Sequence, residues 1–149
     1  MKKQILKLSV DINSPKERVW DVLLQDETFR EWTSVFHPGS YAESDWKEGG
    51  KALFKTPEGD GMVSKITVHR PAEVISFEHQ GILKDGKEDF EDEEAQNWIG
   101  FTETYRISET NGQSRLSIEQ DIGEEYLDQF KTLWEKALDK VKEISESRN

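Results

Sequence analysis

Cysteine is absent from this chain of 149 residues, and its absence excludes disulfides, thiolate catalysis and thiolate metal sites. Long apolar runs are missing as well, so we expect no segment that crosses a membrane. Residues 1–13 alternate between polar and apolar types and do not resemble a signal peptide. Together, these absences favour a cytoplasmic protein.

Positive charge is scarce, because 20 Lys and Arg accompany 31 Asp and Glu and leave a formal net charge of -11. This excess of negative charge opposes contact with phosphate backbones, so nucleic acid is not an expected partner, whereas a basic protein partner is compatible with it. The three histidines lack zinc-binding spacing, and no glycine-rich turn leads into a phosphate-binding helix. We therefore expect no metal and no cofactor.

The most regular pattern in the chain is at its C-terminal end. Over residues 124–147, apolar side chains recur at steps of three and four, which predicts a long helix with one broad apolar stripe. A stripe that includes Phe130 and Trp134 requires an apolar partner of similar length, which the preceding residues must supply. The length and composition of the chain fit one domain, residues 1–149.

The N-terminal part predicts one strand followed by two short helices. Alternation over residues 3–12 indicates a half-buried strand. Ser14-Pro15-Lys16-Glu17 has the form of a capping box and predicts a helix that ends near residue 24. Asp26 is the expected cap of a second helix, which carries Phe29 and Trp32.

The middle of the chain predicts an antiparallel meander, with turns at its Gly, Pro and Asn residues. The predicted strands lie near residues 40–47, 51–56, 62–69, 73–80, 97–107 and 114–122. Between the fourth and fifth of these, residues 84–94 carry seven carboxylates around Phe90 and predict a solvated, mobile loop. The alternative interpretation is a lid over a cavity mouth, with Phe90 as its latch.

Two turns fix strand registers and therefore the inward-facing residues. A two-residue turn at Asn111-Gly112 pairs Ile107 with Leu116, Tyr105 with Ile118, Glu103 with Gln120, and Phe101 with Ile122. A turn over residues 70–73 pairs Val68 with Ile75, Ile66 with Phe77, and Ser64 with His79. Both apolar inner faces are thus expected to include polar members: Ser64, His79, Glu103 and Gln120. His69 is expected on the outward face, and Gly100 at a bulge.

Local motifs agree with this element order. Residues 12–23 resemble the opening motif of the START-like (SRPBCC, helix-grip) superfamily, residues 29–32 fit its following aromatic helix, and Glu48-Gly49-Gly50-Lys51 is similar to its glycine hairpin. Within the superfamily, the chain most resembles the branch named after the C-terminal domain of the activator of heat-shock protein 90 ATPase. The resemblance implies an α+β fold, with a curved antiparallel sheet of about seven strands wrapped around the long C-terminal helix.

The resemblance also implies a cavity between the sheet and that helix. The residues expected to line it are Trp32, Phe36, Met62, Ser64, Ile66, Phe77, His79, Glu103, Tyr105, Ile118, Gln120, Phe130, Trp134 and Ala137. Ala137 marks the expected space because it is small within a stripe of large residues. The alternative is that the aromatic side chains simply fill the core, where large apolar residues usually lie. His37 is expected near the mouth of the cavity.

Three functions are compatible with this sequence. The first is non-enzymatic binding of an apolar or amphipathic small molecule, which matches an aromatic wall with a few polar anchors. The second is a chaperone-regulator-like module that binds a protein partner. The third is a cyclase- or hydrolase-like enzyme, in which Glu103 would orient His79 as a general base. The third has the weakest basis, because no nucleophile or further catalytic group accompanies this pair.

Overall fold

A computed structural model describes residues 2–147 of the chain, and these residues form eight strands and four α-helices. In chain order they are β1 (Lys3–Ile12), α1 (Lys16–Leu24), α2 (Asp26–Thr33), β2 (Tyr41–Glu43), β3 (Lys51–Lys55), β4 (Gly61–Arg70), β5 (Val74–Lys84), β6 (Lys87–Asp89), α3 (Glu93–Trp98), β7 (Thr102–Thr110), β8 (Gln113–Gly123) and α4 (Leu127–Ser147). A 3-10 turn, Glu124–Tyr126, leads from β8 into α4.

The strands form one antiparallel sheet in the order β1-β8-β7-β5-β4-β3-β2, and β6 pairs with β5 outside this path. The helix α4 packs against β1 and against α1 and α2. The predicted α+β architecture, with two short helices after the first strand and a long C-terminal helix, is confirmed. No helix within residues 2–147 is long and apolar enough to span a membrane.

The apolar stripe of α4 is buried unevenly along its length. Trp134, Ala137, Val141 and Ile144 are buried, as a stripe with helical spacing requires. Nearer the start of the helix, Phe130 is only half-buried. The C-terminal half of α4 therefore closes the core, whereas its first turns leave space between helix and sheet.

The register predicted for β7 and β8 is confirmed at three of its four pairs: Glu103 with Gln120, Tyr105 with Ile118, and Ile107 with Leu116. The fourth pair is not formed, because Phe101 precedes the first residue of β7. Their turn has the conformation that was expected, because Asn111 and Gly112 both adopt positive φ angles, of 53° and 79°. This pairing puts Glu103 and Gln120 side by side on neighbouring strands.

The register predicted for β4 and β5 is correct for two pairs and wrong for the third. Ser64 pairs with His79 and Ile66 with Phe77, but an irregularity between Ile66 and Val68 moves His69 opposite Ile75. Because facing residues share one side of a sheet and Ile75 is fully buried, His69 lies on the inner side. The expected outward position of His69 is thus wrong, since a bulge reverses the alternation that the prediction assumed.

The acidic segment contains a strand and the start of a helix, where the sequence predicted a loop over residues 84–94. Residues Lys87–Asp89 form β6 along β5, and the Asp92 side chain accepts a hydrogen bond from the Glu94 backbone N–H at the start of α3. Carboxylates in a first helical turn are favoured by the helix dipole, so the acidic residues support this helix. The predicted strand over 97–107 consequently begins only at Thr102, and Gly100 lies in the preceding turn, not at a bulge.

Three further boundaries differ from expectation. The Ser14 side chain does not cap α1; Pro15 is the N-cap residue, and the Ser14 hydroxyl is buried without a partner among residues 2–147. Asp26 is the first residue of α2, where its carboxylate binds Arg30 at 2.9 Å, and it is not the cap. β2 ends at Glu43, four residues early, because Trp46 adopts a positive φ angle of 60° and breaks the extended chain.

Candidate functional site: an aromatic cavity with a polar base

A cavity of about 610 Å³ lies where the first turns of α4 stand away from the sheet, and it opens to solvent. Its volume falls within the range of small-molecule sites in proteins. Its lining is mostly apolar. It consists of Phe29, Trp32, Thr33, Phe36, His37, Ser40, Tyr41, Phe54, Lys55, Thr56, Asp60, Gly61, Met62, His79, Ile82, Leu83, Lys84, Glu94, Trp98, Glu103, Tyr105, Gln120, Phe130 and Trp134.

Nine of the residues proposed from sequence line this cavity: Trp32, Phe36, Met62, His79, Glu103, Tyr105, Gln120, Phe130 and Trp134. The other five, Ser64, Ile66, Phe77, Ile118 and Ala137, are buried away from it. Ala137 is fully buried, because it lies in the C-terminal half of α4 that packs closely on the core. The space expected at Ala137 is found instead about one helical turn earlier, beside Phe130 and Trp134.

Three apolar residues that the sequence did not predict also line the cavity, and they come from β3, β5 and α3. Phe54 alternates inward on β3, a position that strand periodicity could have identified. Ile82 faces Met62 because the β4–β5 pairing shifts again between Val63 and Ser64. Gly81 lies at this shift, and a glycine inside a strand is a sequence signal for a bulge. Trp98 reaches the cavity from α3, an element that was not predicted.

Interlocking aromatic rings form the cavity wall nearest the helices. The ring centroid of Trp134 lies 5.0 Å from that of Phe36 and 5.8 Å from those of Trp32 and Tyr105. The indole N–H of Trp32 donates to the Leu23 carbonyl at 3.2 Å, which fixes that ring. Edge and tilted contacts of this kind are favourable aromatic geometries, so the wall is preformed.

His79 lies at the polar base of the cavity and is held by a neighbouring strand. Its Nδ1 is 2.8 Å from the Ser64 hydroxyl, and the residue is 6% exposed. Burial lowers the pKa of His79 to about 4, and the opposing effect of the Asp121 charge is smaller. The imidazole is therefore neutral at physiological pH.

Glu103 is the second polar group, and its environment favours the protonated acid. The Tyr105 hydroxyl donates to Glu103 Oε2 at 2.6 Å, and the accessible part of Glu103 lines the cavity. Burial raises the pKa of Glu103 to about 7, and the bond from Tyr105 offsets only part of this effect. Burial and the adjacent carboxylate raise the pKa of Tyr105 well above its usual value, so the phenol remains the donor.

Gln120 completes the polar base beside Glu103. The indole N–H of Trp134 donates to Gln120 Oε1 at 2.7 Å. Because an indole nitrogen can only donate, this bond fixes the amide orientation and leaves the Gln120 NH₂ group as a donor at the cavity surface. One residue from each of β5, β7 and β8 thus contributes to the base.

His79 and Glu103 do not form the carboxylate–imidazole pair that general-base catalysis would use. Each has a different hydrogen-bond partner, Ser64 for His79 and Tyr105 for Glu103. Among residues 2–147, no three His, Asp or Glu side chains are grouped as metal ligands would be. The arrangement can hold an apolar molecule and offer hydrogen bonds to one polar group on it.

The curved sheet, the helix across it and the cavity between them define a START-like, helix-grip protein, a class that commonly binds hydrophobic ligands. The family described as Activator of Hsp90 ATPase homolog 1-like protein matches residues 13–146, and the chain belongs to this family. No curated protein sequence matches the chain significantly.

Solved structures with low sequence identity share the fold. The Aha1 dimer from Colwellia psychrerythraea is 14% identical, with 97% of each chain covered and a TM-score of 0.73. ChR145 from Cytophaga hutchinsonii is 20% identical, with 97% of this chain and 95% of that chain covered and a TM-score of 0.70. CalU16 from Micromonospora echinospora is 17% identical, with coverages of 98% and 78% and a TM-score of 0.67.

Proposed function

We propose that the protein binds an apolar or amphipathic small molecule in this cavity without transforming it, in the cytoplasm. The observation that carries the proposal is the cavity itself, about 610 Å³ of space with an aromatic wall and a base of three polar side chains. If the aromatic side chains served only to fill the core, they would leave no cavity of this size, because protein interiors are normally close-packed. The separate partners of His79 and Glu103 favour binding over acid–base catalysis.

A cavity-filling substitution tests this proposal. Met62 lies on the inner face of β4 and lines the cavity, so Met62→Trp should occupy part of the volume with little strain. We expect the variant to lose at least about tenfold in affinity for N-phenyl-1-naphthylamine, a neutral fluorescent probe, since the indole and the probe would compete for one space. Probe fluorescence during titration measures this affinity.

Lys65→Trp is the matched control, because Lys65 lies on the same strand but is exposed on the outer face. This control should bind the probe as the unchanged protein does. Native mass spectrometry of the protein purified from cells provides a second readout of any bound small molecule. Equal probe binding by all three proteins, or no binding by any of them, would overturn the proposal.

A protein-interaction role is the second candidate, and one surface feature favours it. Phe90, Ile99 and Tyr126 are 44%, 41% and 39% exposed, and Tyr126 lies 6.0 Å from the cavity-lining Trp98 between ring centroids. Exposed apolar side chains can mark contact sites. If the protein stimulates the ATPase of Hsp90, as its family description suggests, Ile99→Ser should reduce the stimulation without affecting probe binding in the cavity.

A further inference from the structure

Three polar atoms at the base of the cavity have no hydrogen-bond partner within residues 2–147. They are Oε1 of Glu103, Nε2 of His79 and the NH₂ group of Gln120; the other polar atom of each side chain is bound to Tyr105, Ser64 and Trp134 respectively. All three residues line the same cavity. His79 and Gln120 are more than nine-tenths buried, so their unpartnered atoms are directed at a built site and not at open solvent.

Positive charge is missing from this base. Two lysines, Lys55 and Lys84, line the cavity, and both are already paired with carboxylates. Lys55 lies 3.0 Å from Glu43, and Lys84 lies 3.5 Å from Asp92. The imidazole of His79 is neutral, because burial holds its pKa near 4. Above about pH 7, where Glu103 is ionised, a carboxylate brought into the cavity would therefore meet a second negative charge without a compensating cation, and an unpaired buried charge is costly.

We infer that the cavity selects an aromatic or aliphatic molecule whose inward end carries a hydrogen-bond donor, a hydroxyl or a protonated amine, and that it excludes molecules whose inward end is a carboxylate. This inference rests on the proposed binding function and specifies its ligand class. Above about pH 7, where Glu103 is ionised, its Oε1 accepts from the donor, and a hydroxyl oxygen can in turn accept from the Gln120 amide. The arrangement makes Glu103 the residue that determines specificity.

Four naphthalene derivatives with the same ring test the inference: 2-methylnaphthalene, 2-naphthalenemethanol, 2-naphthylmethylamine and 2-naphthoate. Isothermal titration of the full chain at about pH 8, where Glu103 is ionised, measures each affinity. We expect the alcohol and the amine to bind at least about tenfold more tightly than 2-naphthoate. The alcohol gains a hydrogen bond to Glu103 and the amine a charge-assisted one, whereas the carboxylate of 2-naphthoate is repelled by Glu103. The methyl compound should bind with intermediate affinity.

Glu103→Gln separates charge from shape in this test. The variant keeps an acceptor for the Tyr105 hydroxyl and presents an NH₂ group in place of Oε1. We expect it to bind the amine about tenfold more weakly and 2-naphthoate more tightly, whereas the alcohol, whose oxygen can accept from that NH₂ group, should bind almost unchanged. Glu135→Gln, on the exposed face of α4, is the control and should change none of these affinities.

The pH dependence of amine binding gives an independent readout. Around Glu103, β7 contributes Tyr105 and β5 contributes His79, whereas β8 and α4 contribute the uncharged Gln120 and Trp134. The other titratable residues of the lining are His37, Tyr41, Lys55, Asp60, Lys84 and Glu94. As pH rises through about 7, Glu103 ionises, so amine affinity should increase in the unchanged protein and stay flat in Glu103→Gln. Alcohol affinity should change little.

The two proposals fail in different ways. If none of the four compounds binds, including 2-methylnaphthalene, the proposed binding function fails together with this inference. If 2-naphthoate binds as tightly as the alcohol and the amine, or if Glu103→Gln leaves the order of affinities unchanged, the selectivity for a donor is refuted while the binding function stands.

Discussion

The protonation of Glu103 should be visible in the stability of the folded protein. Its ordinary pKa of 4.5 applies to the unfolded chain, and burial raises the folded-state pKa to about 7. Below pH 4.5 both states hold the proton, so the group has no effect. Between 4.5 and 7 the unfolded state releases the proton while the folded state retains it, so folding is increasingly opposed as pH rises, and above 7 the penalty is constant.

The size of this penalty follows from the difference between the two pKa values. One pH unit corresponds to about 1.4 kcal/mol, so the interval from 4.5 to about 7 amounts to about 3 kcal/mol. Glu103→Gln removes the titration and keeps an acceptor for the Tyr105 hydroxyl. We therefore expect the variant to gain about 2 to 3 kcal/mol of unfolding free energy over the unchanged protein between about pH 5 and about pH 8.

Urea unfolding followed by tryptophan fluorescence at the two pH values measures this difference. The titrations of His79 and the surface carboxylates occur in both proteins, so they cancel in the comparison. Glu135→Gln, an exposed change of the same type, should shift the pH dependence by less than about 0.5 kcal/mol. A Glu103→Gln variant that follows the unchanged protein at both pH values would refute the assigned burial of this carboxyl.

Three other substitutions have defined expectations. Ser145→Ala should raise the unfolding free energy by about 1 kcal/mol, measured with urea, because Ser145 is fully buried in α4 and its hydroxyl has no partner in the described part of the chain. Gly81→Ala should destabilise by about 1 to 3 kcal/mol and expose α3 to limited proteolysis, because the new Cβ would lie 2.6 Å from Phe90 Cδ1 and 2.7 Å from the Asp89 carbonyl oxygen. Because the pKa of His79 is lowered, its contribution to stability is complete above pH 6.5 and is lost as the pH falls through about 4. His79→Asn should therefore remove a decrease of about 3 kcal/mol in unfolding free energy over that pH interval, measured by urea unfolding.

The parts of the fold that the sequence predicted are those with local chemical causes. Asn111-Gly112 requires positive φ angles at two consecutive positions, and this turn alone determined which residues of β7 and β8 face each other. The stripe of α4 likewise follows from helical periodicity. Glu103 and Gln120 could therefore be identified as inward-facing polar residues before their surroundings were known.

The wrong predictions are those in which one inserted residue or one tertiary contact determines which way a side chain faces. The shift between Ile66 and Val68 reverses strand parity, and it carried His69 inward, where its ring accepts a hydrogen bond from the Trp20 indole at 3.3 Å. The depth of the cavity along α4 depends on how the sheet curves, which no local pattern encodes. Ala137 was consequently expected at the cavity but lies in closely packed core.

A core-packing interpretation accounts for Phe77 and Ala137 but not for Glu103. Burial of Phe77 and Ala137 in a close-packed core stabilises the fold. Burial of Glu103 raises its pKa to about 7 and therefore destabilises the fold at neutral pH. Tyr105 binds only one of its oxygens, and the other faces the cavity beside the Gln120 amide. A group that costs stability, lies in a preformed space and retains an unpartnered acceptor is better explained by a ligand that completes its hydrogen bonds than by the fold alone.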